Sequence, residues 1–173
     1  MDIHYLLCAY GPDRPGIVES LSDIAVKMSF SIADSRMVLL GDHFSVLMLL
    51  AGPRENAPGM EKAMHALADL TVSVKEVHAR GTKDDVLEYS VRMVGEDSKG
   101  IVHGVTTYLK DHRINVLSLD TAVGRAPHSG TPLFKMTMVL EVPKSMNLRE
   151  LKSGLIALSD RLNMDIDIEP FGI

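Results

Sequence analysis

Residues 11–18 read GPDRPGIV, and residues 95–102, 84 positions later, read GEDSKGIV. Both stretches match the pattern G-x-D-x-x-G-I-V, and the same offset superposes apolar positions on apolar positions through the segment that follows. With an offset of 90, residues 44–50 align with residues 134–140. Because similarity at a fixed spacing is the signature of a repeated structural unit, the sequence predicts two copies of one fold.

The change of offset from 84 to 90 places six additional residues in the second copy. They fall in residues 124–130, GRAPHSG, which have the composition of a loop. Residues 81–85, GTKDD, are short and polar and are the natural linker. The predicted domains are therefore residues 1–81 and 86–173.

Length and composition are those of a globular protein. Of the 173 residues, 46% are hydrophobic and 24% are charged, which excludes a disordered or low-complexity chain. No apolar stretch approaches the roughly 20 residues that cross a bilayer, and the first residues lack the basic start of a signal peptide. The single cysteine, Cys8, has no partner for an internal disulfide. We therefore expect a soluble, cytoplasmic protein without a membrane segment.

The charge balance disfavours nucleic acid as a direct ligand. Eighteen basic and 23 acidic residues give a net charge of −5, the opposite of what a phosphate-backbone binder requires. The aromatic content of 5%, without tryptophan, leaves few surfaces on which bases could stack.

Periodicity predicts the order β-α-β-β-α-β in each copy. Apolar and polar residues alternate over residues 87–93, as in a half-buried strand. A helix is expected to open at Asp13 or Asp97, since apolar residues recur every 3 to 4 positions from Ile17 and from Ile101. A hairpin, a second helix and a short strand follow. The predicted hairpins join residues 31–39 to 43–50 through a turn at 40–42, and residues 115–123 to 133–142.

This order is the ferredoxin-like split motif, so the predicted fold class is α+β, with two antiparallel sheets that each carry their helices on one face. In the first copy Leu6 and Cys8 point away from Tyr5 and Leu7, which makes the first strand apolar on both sides. The sheet face away from the helices should therefore be covered by the other domain or by another subunit, and a homodimer is the hypothesis.

The repeated loops precede a helix, which is a position suited to ligand binding. The start of a helix presents free amides and a partial positive charge to an anion, and Gly16 and Gly100 permit close approach. Asp13 and Asp97 could bind an ammonium group, so that each loop would suit a free α-amino acid. Helix N-capping is the more common reason for an aspartate at such a position, and the two roles are compatible.

Residues 13–18, DRPGIV, and residues 31–36, SIADSR, together with the repeated β-α-β-β-α-β order, resemble ACT domains, small regulatory modules that bind amino acids. The tandem arrangement covers nearly the whole chain and resembles the glycine cleavage system transcriptional repressor family. The resemblance implies a non-catalytic regulator whose ligand is a small amino acid, with glycine suggested, and whose partner is a DNA-binding transcriptional activator.

The resemblance also implies a site formed by the strand-to-helix loop of one ACT domain and the start of the second strand of its neighbour. At the start of the second strand the family usually has asparagine, which the second copy has at Asn115 and the first copy replaces with Ser31. In the loop the family usually has Arg-Pro, which the second copy replaces at residues 98–99. Asn115 is also explained as a simple surface residue. Carried over by position, the candidate ligand-binding residues are Gly11, Asp13, Pro15, Gly16, Ile17 and Ser31 in the first copy and Gly95, Asp97, Gly100, Ile101 and Asn115 in the second.

No catalytic pattern accompanies these loops. The seven histidines contain no pair at helical spacing that would hold a metal, and the nucleophile-elbow, Walker A and dinucleotide motifs do not occur. We therefore predict no metal, no cofactor and no enzymatic activity. Two alternatives remain: a constitutive protein-interaction module without a competent ligand site, and an enzyme that uses Asp13 or Asp97 as a base.

Overall fold

The computed structural model describes residues 3–78, 81, 84–125 and 130–172. The chain divides into two compact units, unit 1 (residues 1–81) and unit 2 (residues 82–173). The predicted linker falls at this division, although residues 82 and 83 lie outside the described part. The assignment of residues 1–81 and 86–173 as separate functional domains stays a prediction.

Both units have the predicted order of elements. In unit 1 the elements are β1 (Ile3–Pro12), α1 (Ile17–Lys27), β2 (Ser31–Leu40), β3 (His43–Gly52), a short 3-10 turn (Arg54–Asn56), α2 (Ala57–His65) and β4 (Thr71–Val77). In unit 2 they are β5 (Val86–Glu96), α3 (Ile101–Asp111), β6 (Asn115–Arg125), β7 (Pro132–Pro143), α4 (Leu148–Arg161) and β8 (Met164–Pro170).

The two sheets have equivalent strand orders, β2-β3-β1-β4 in unit 1 and β6-β7-β5-β8 in unit 2, and every pairing is antiparallel. Antiparallel pairing of the first strand with the third and the last is the ferredoxin-like arrangement. The α+β fold class with two tandem copies is therefore confirmed.

Each unit has one hydrophobic core, to which its strands contribute every second side chain. In β1, Tyr5, Leu7 and Ala9 are buried while the intervening residues are less so, as expected when one face of a strand packs on helices. The helices contribute buried side chains at helical spacing. The buried helical residues are Ile17, Leu21, Ala25, Met60 and Met64 in unit 1 and Ile101, Val105, Leu109, Leu151, Leu155 and Leu158 in unit 2.

The expected helix starts at Asp13 and Asp97 are wrong. Helices α1 and α3 begin at Ile17 and Ile101, because Gly16 and Gly100 both adopt φ of 92°, a left-handed conformation that cannot continue a right-handed helix. Neither helix has a side-chain cap. Asp13 and Asp97 therefore lie in the turn before the helix and do not act as N-caps.

The hairpins differ from the prediction at their ends. Leu40 belongs to β2, so the turn in unit 1 comprises only Gly41 and Asp42, with Gly41 at φ of 64°. In unit 2, β6 continues to Arg125, and residues 126–129 of the predicted loop lie outside the described part. Among the described residues, no helix is long and apolar enough to cross a lipid bilayer.

Candidate functional site

The first strand-to-helix loop is held by the neighbouring hairpin. β1 ends at Pro12, and the amide of Asp13 donates a hydrogen bond of 2.9 Å to the carbonyl of Asp42 in the β2–β3 turn. In unit 2 the amide of Asp97 donates to the carbonyl of Pro132 at 3.4 Å. The hairpin therefore fixes where each aspartate leaves the sheet.

The loop of unit 1 borders a concavity of about 230 Å³. Asp13, Gly16 and Ile17, three of the predicted residues, line it together. The predicted residues Gly11, Pro15 and Ser31 are not part of its lining. The other lining residues are Arg14, Val18, Glu19 and Phe44.

Gly11 and Gly95 have a packing role that explains their place in the motif. A Cβ on Gly11 would collide with the carbonyl oxygen of Asp69 and stand 2.8 Å from Leu70 Cδ2. A Cβ on Gly95 would stand 2.5 Å from the carbonyl oxygen of Asn163. In both units the missing side chain therefore allows the segment just before the last strand, β4 or β8, to pack directly against the first strand, β1 or β5.

Arg14 forms an ion pair with Asp69. Its Nε donates to Oδ2 of Asp69, the residue whose carbonyl crosses Gly11. The hydrogen bond and charge of Arg14 lower the pKa of Asp69, and Asp69 correspondingly raises the pKa of Arg14. Because the pKa of Asp69 is lowered in the folded state, the pair stabilises the fold above the ordinary carboxyl pKa of about 3.9, and this contribution is lost as the pH falls below it.

The equivalent residues of unit 2 cannot form this ion pair. Ser98 occupies the position of Arg14, and Asn163 takes the place of Asp69 opposite the glycine of the first strand. Neither residue carries a formal charge. The two loops therefore share the backbone conformation at Gly16 and Gly100 but differ in charge and in side-chain support.

The second-strand residues lie away from the loop of their own unit. Ser31 pairs with Ala51 near one end of β3, whereas Pro12 pairs with His43 at the other. Eight residues of extended strand span roughly 27 Å. One unit therefore does not bring Ser31 together with Asp13.

Asn115 has the equivalent place in unit 2 and already has a partner there. It pairs with Glu141 at the end of the sheet opposite Glu96 and Leu133. Its Nδ2 donates a hydrogen bond of 3.1 Å to Oε2 of Glu141, which is buried. Ser31 donates its hydroxyl to the carbonyl of Ala51 at 3.3 Å.

The concavity of unit 1 offers groups of both charges to a ligand. The carboxylates of Asp13 and Glu19 can accept hydrogen bonds from an ammonium group. The first amides of α1 have no acceptor within the helix and, with Arg14, favour a carboxylate. Opposite charges at a concavity of this size suit a small zwitterion.

Sequence patterns did not indicate Glu19, Phe44 or Asp69. Phe44 reaches the concavity from β3, and Asp69 reaches Arg14 from the chain before β4. Such neighbours depend on sheet order, which a single sequence expresses only through the predicted fold. Glu19 had a weak signal, since an acidic residue in the first turn of a helix is common for helix stability alone.

The described part of the chain contains no group of three or more His, Cys, Asp or Glu side chains arranged to hold a metal ion.

Comparison with known proteins identifies the fold of unit 1. Residues 4–75 match the model of the ACT domain family. Over 164 residues the chain is 26% identical to glycine cleavage system transcriptional repressors of Escherichia coli (strain K12) and Shigella flexneri. In each case the alignment covers 92% of this chain and 86% of the relative.

Two solved structures are similar over the whole chain. A protein of unknown function from Galdieria sulphuraria shares 27% identity with a TM-score of 0.82, covering 99% of this chain and 100% of that one. A protein provisionally described as a glycine cleavage system transcriptional repressor shares 23% identity with a TM-score of 0.72, covering 100% and 99% of the two chains. The second likeness concerns the fold alone. Residues 4–75 thus match the ACT domain family, unit 2 repeats the strand order of unit 1, and most of the chain is similar in sequence to glycine cleavage system transcriptional repressors.

Proposed function

We propose that this protein is a non-catalytic regulator that binds a small amino acid at its strand-to-helix loops and acts through a protein partner. The observation that carries the proposal is the concavity of about 230 Å³ where Asp13, Gly16 and Ile17 meet at the start of α1. Its carboxylates and helix amides match the two charged ends of an amino acid.

The sequence relatives support regulation rather than chemistry. They are named transcriptional repressors, and they align with 92% of this chain. By this likeness the partner is a DNA-binding transcriptional activator and glycine is the first amino acid to test. The net charge of −5 supports the same route, since an acidic protein is repelled by DNA and would reach it through another protein.

The ligand would act by stabilising one conformation of the protein over another. A ligand shifts such an equilibrium only by its difference in affinity for the two conformations, and the partner then binds the favoured one more tightly. Amino-acid availability would thereby set how much of the partner is occupied.

The test is calorimetric titration and thermal unfolding with each of the free amino acids at millimolar concentration. A ligand present at 100 times its Kd should stabilise the folded protein by about 2.7 kcal/mol. Asp13→Asn should abolish binding at the loop of unit 1, and Asp97→Asn tests the loop of unit 2 in the same way. Asp165→Asn removes one exposed carboxylate of β8 and should bind the ligand as the unchanged protein does.

If no amino acid stabilises the protein, the alternative of a constitutive interaction module without a competent ligand site replaces this proposal. If the ligand binds both aspartate variants with unchanged affinity, the site lies elsewhere. Turnover of the bound amino acid would contradict a non-catalytic role.

A further inference from the structure

Unit 2 contains a cavity that the strand-to-helix loops do not explain. It has a volume of about 500 Å³ and lies between the end of α3 and the start of α4, beside the segment that follows β7. This volume falls within the range of roughly 300 to 1,000 Å³ that is usual for small-molecule sites. The cavity is larger than the concavity of about 230 Å³ at the loop of unit 1.

One wall of the cavity is a pair of stacked rings. Tyr108 on α3 and His112 directly after it are one helical turn apart, and their rings stack with the centroids 4.0 Å apart and the planes at 28°. The hydrogen bond of 2.8 Å between His112 Nδ1 and the carbonyl of Tyr108 fixes the imidazole. Gly154 on α4 makes room for the phenol, since a Cβ there would stand 2.9 Å from Tyr108 Cζ.

The equivalent place in unit 1 has different residues. There the residue that caps the end of the helix is Met28, which corresponds to His112 at the offset of 84. Asn56, just before α2, donates a hydrogen bond of 3.0 Å to the carbonyl of Met28, and the sulfur of Met28 lies 3.6 Å from the Cβ position of Gly59. The residues at the end of the first helix therefore differ between the two units.

The charges at the cavity favour an acid with a single negative charge. Arg113 lines the cavity, and within the described part of the chain its guanidinium has no ion pair or side-chain hydrogen bond. Glu150 lines it as well and is likewise unpaired among the described residues. A carboxylate can bind Arg113, whereas an added negative charge would be repelled by Glu150.

The remaining lining is suited to a planar, apolar body. Met146, Leu151 and Pro143 contribute apolar surface, and Leu151 is buried in the core of unit 2. Burial raises the pKa of Tyr108, so its hydroxyl remains a hydrogen-bond donor at neutral pH. An aromatic ring can stack on an outer face of the Tyr108–His112 pair, and Arg113, which lines the same cavity, can bind its carboxylate.

We propose that this cavity is a second ligand site, specific to unit 2, that binds a small aromatic monocarboxylate through Arg113 and the stacked pair of Tyr108 and His112. It is separate from the strand-to-helix loops, and it does not depend on whether those loops bind an amino acid.

Titration of the full-length protein with benzoate, followed by amide NMR spectra, tests the site. Benzoate should shift the signals of residues 108–113 and 145–151 in a saturable way. Benzamide, which has the same shape without the charge, should bind at least 10-fold more weakly, and acetate should not saturate the site. Inorganic phosphate should also bind more weakly than benzoate because of Glu150.

Three variants separate the contributions of the charges. Arg113→Gln should weaken benzoate binding at least 10-fold, whereas Glu150→Gln should strengthen it by removing a repulsion. Arg149→Gln is the matched control, because it removes a neighbouring positive charge that does not line the cavity, and it should change the affinity less than 2-fold. Amide spectra of each free variant verify its fold.

The proposal is overturned if benzoate and benzamide bind equally, if Arg113→Gln binds as the unchanged protein does, or if the shifted signals lie outside the cavity. It is equally overturned if Arg149→Gln weakens binding as much as Arg113→Gln, since the effect would then come from general surface charge.

Discussion

The glycines of the repeated loop serve two different physical purposes. At Gly16 the backbone has φ of 92°, but a Cβ would meet only the end of the Arg14 side chain, 3.9 Å away. At Gly11 the backbone needs no unusual φ, but a Cβ would collide with the carbonyl of Asp69. One position therefore requires glycine for conformation and the other for close packing of two chain segments.

Alanine substitutions should separate these two requirements. Gly16→Ala places a Cβ in a left-handed conformation, which costs about 1 to 2 kcal/mol. Gly11→Ala forces the chain at Asp69 away from β1, and we expect about 3 kcal/mol, the upper end of the usual cost of overpacking. Urea unfolding of both variants measures the difference.

The same order should hold in unit 2, where Gly100→Ala corresponds to Gly16→Ala and Gly95→Ala to Gly11→Ala. Equal losses at both positions of a unit would contradict the distinction between strain and collision.

At the scale of the elements, α3 and α4 of unit 2 come close together where Tyr108 lies against Gly154. Tyr108 on α3 occupies the space left by Gly154 on α4, and a Cβ at residue 154 would overlap the phenol oxygen. A glycine inside a helix costs about 1 kcal/mol relative to alanine. Gly154 is therefore kept at an intrinsic cost to α4 because Tyr108 needs the space.

A double substitution tests this explanation, because the effect of Gly154→Ala on the free energy of unfolding should change sign when Tyr108 is replaced. Gly154→Ala alone should destabilise unit 2 by about 1 to 3 kcal/mol, because the phenol is displaced. In a Tyr108→Leu background the same substitution should stabilise it by about 1 kcal/mol, since only the helix propensity remains. Thermal and urea unfolding of the four proteins provide the cycle. If Gly154→Ala has the same sign in both backgrounds, the space at Gly154 is not held for Tyr108.

The elements were predictable from sequence to the extent that they repeat a pattern. The alternation of residues 87–93 and the apolar positions after Ile17 and Ile101 indicated a strand and two helices that the structure contains. The predicted helix starts were wrong because aspartate is a common N-cap residue, so the sequence favours Asp13 and Asp97 as caps. The left-handed conformation of the glycine three residues later delays the start of each helix. The partners of Arg14 and Asn115 could not be predicted, since Asp69 and Glu141 meet them only through the pairing of distant strands.

At the scale of the whole molecule, the two units differ on the sheet faces that point away from their helices. The register places Leu6, Cys8, Leu47 and Leu49 on this face in unit 1. The equivalent residues in unit 2 are Ser90, Arg92, Thr137 and Val139. The central strands β1 and β3 therefore present an apolar outer face in unit 1, flanked by Asp34 and Arg36 of β2, whereas β5 and β7 present a mainly polar one in unit 2.

The apolar face of unit 1 supports the expectation that two copies of the chain associate. Leu47 is 46% exposed and Leu40 is 67% exposed, and a concavity of about 190 Å³ lies beside Leu6, Leu47 and Leu49. Exposed apolar surface of this kind favours association, because each Å² of apolar surface that is removed from water contributes about 25 cal/mol of favourable free energy. We expect a homodimer at micromolar concentration, measured by light scattering coupled to size exclusion.

Leu47→Lys should shift the protein toward monomer, because it places a charge in the centre of this face. Thr137→Lys is the matched control, since residue 137 has the same position in the polar sheet of unit 2 and the charge there should leave the mass unchanged. A monomeric unchanged protein would contradict the dimer directly. A dimer that persists in Leu47→Lys but dissociates in Thr137→Lys would assign association to unit 2 and would leave the apolar face of unit 1 for a different protein partner.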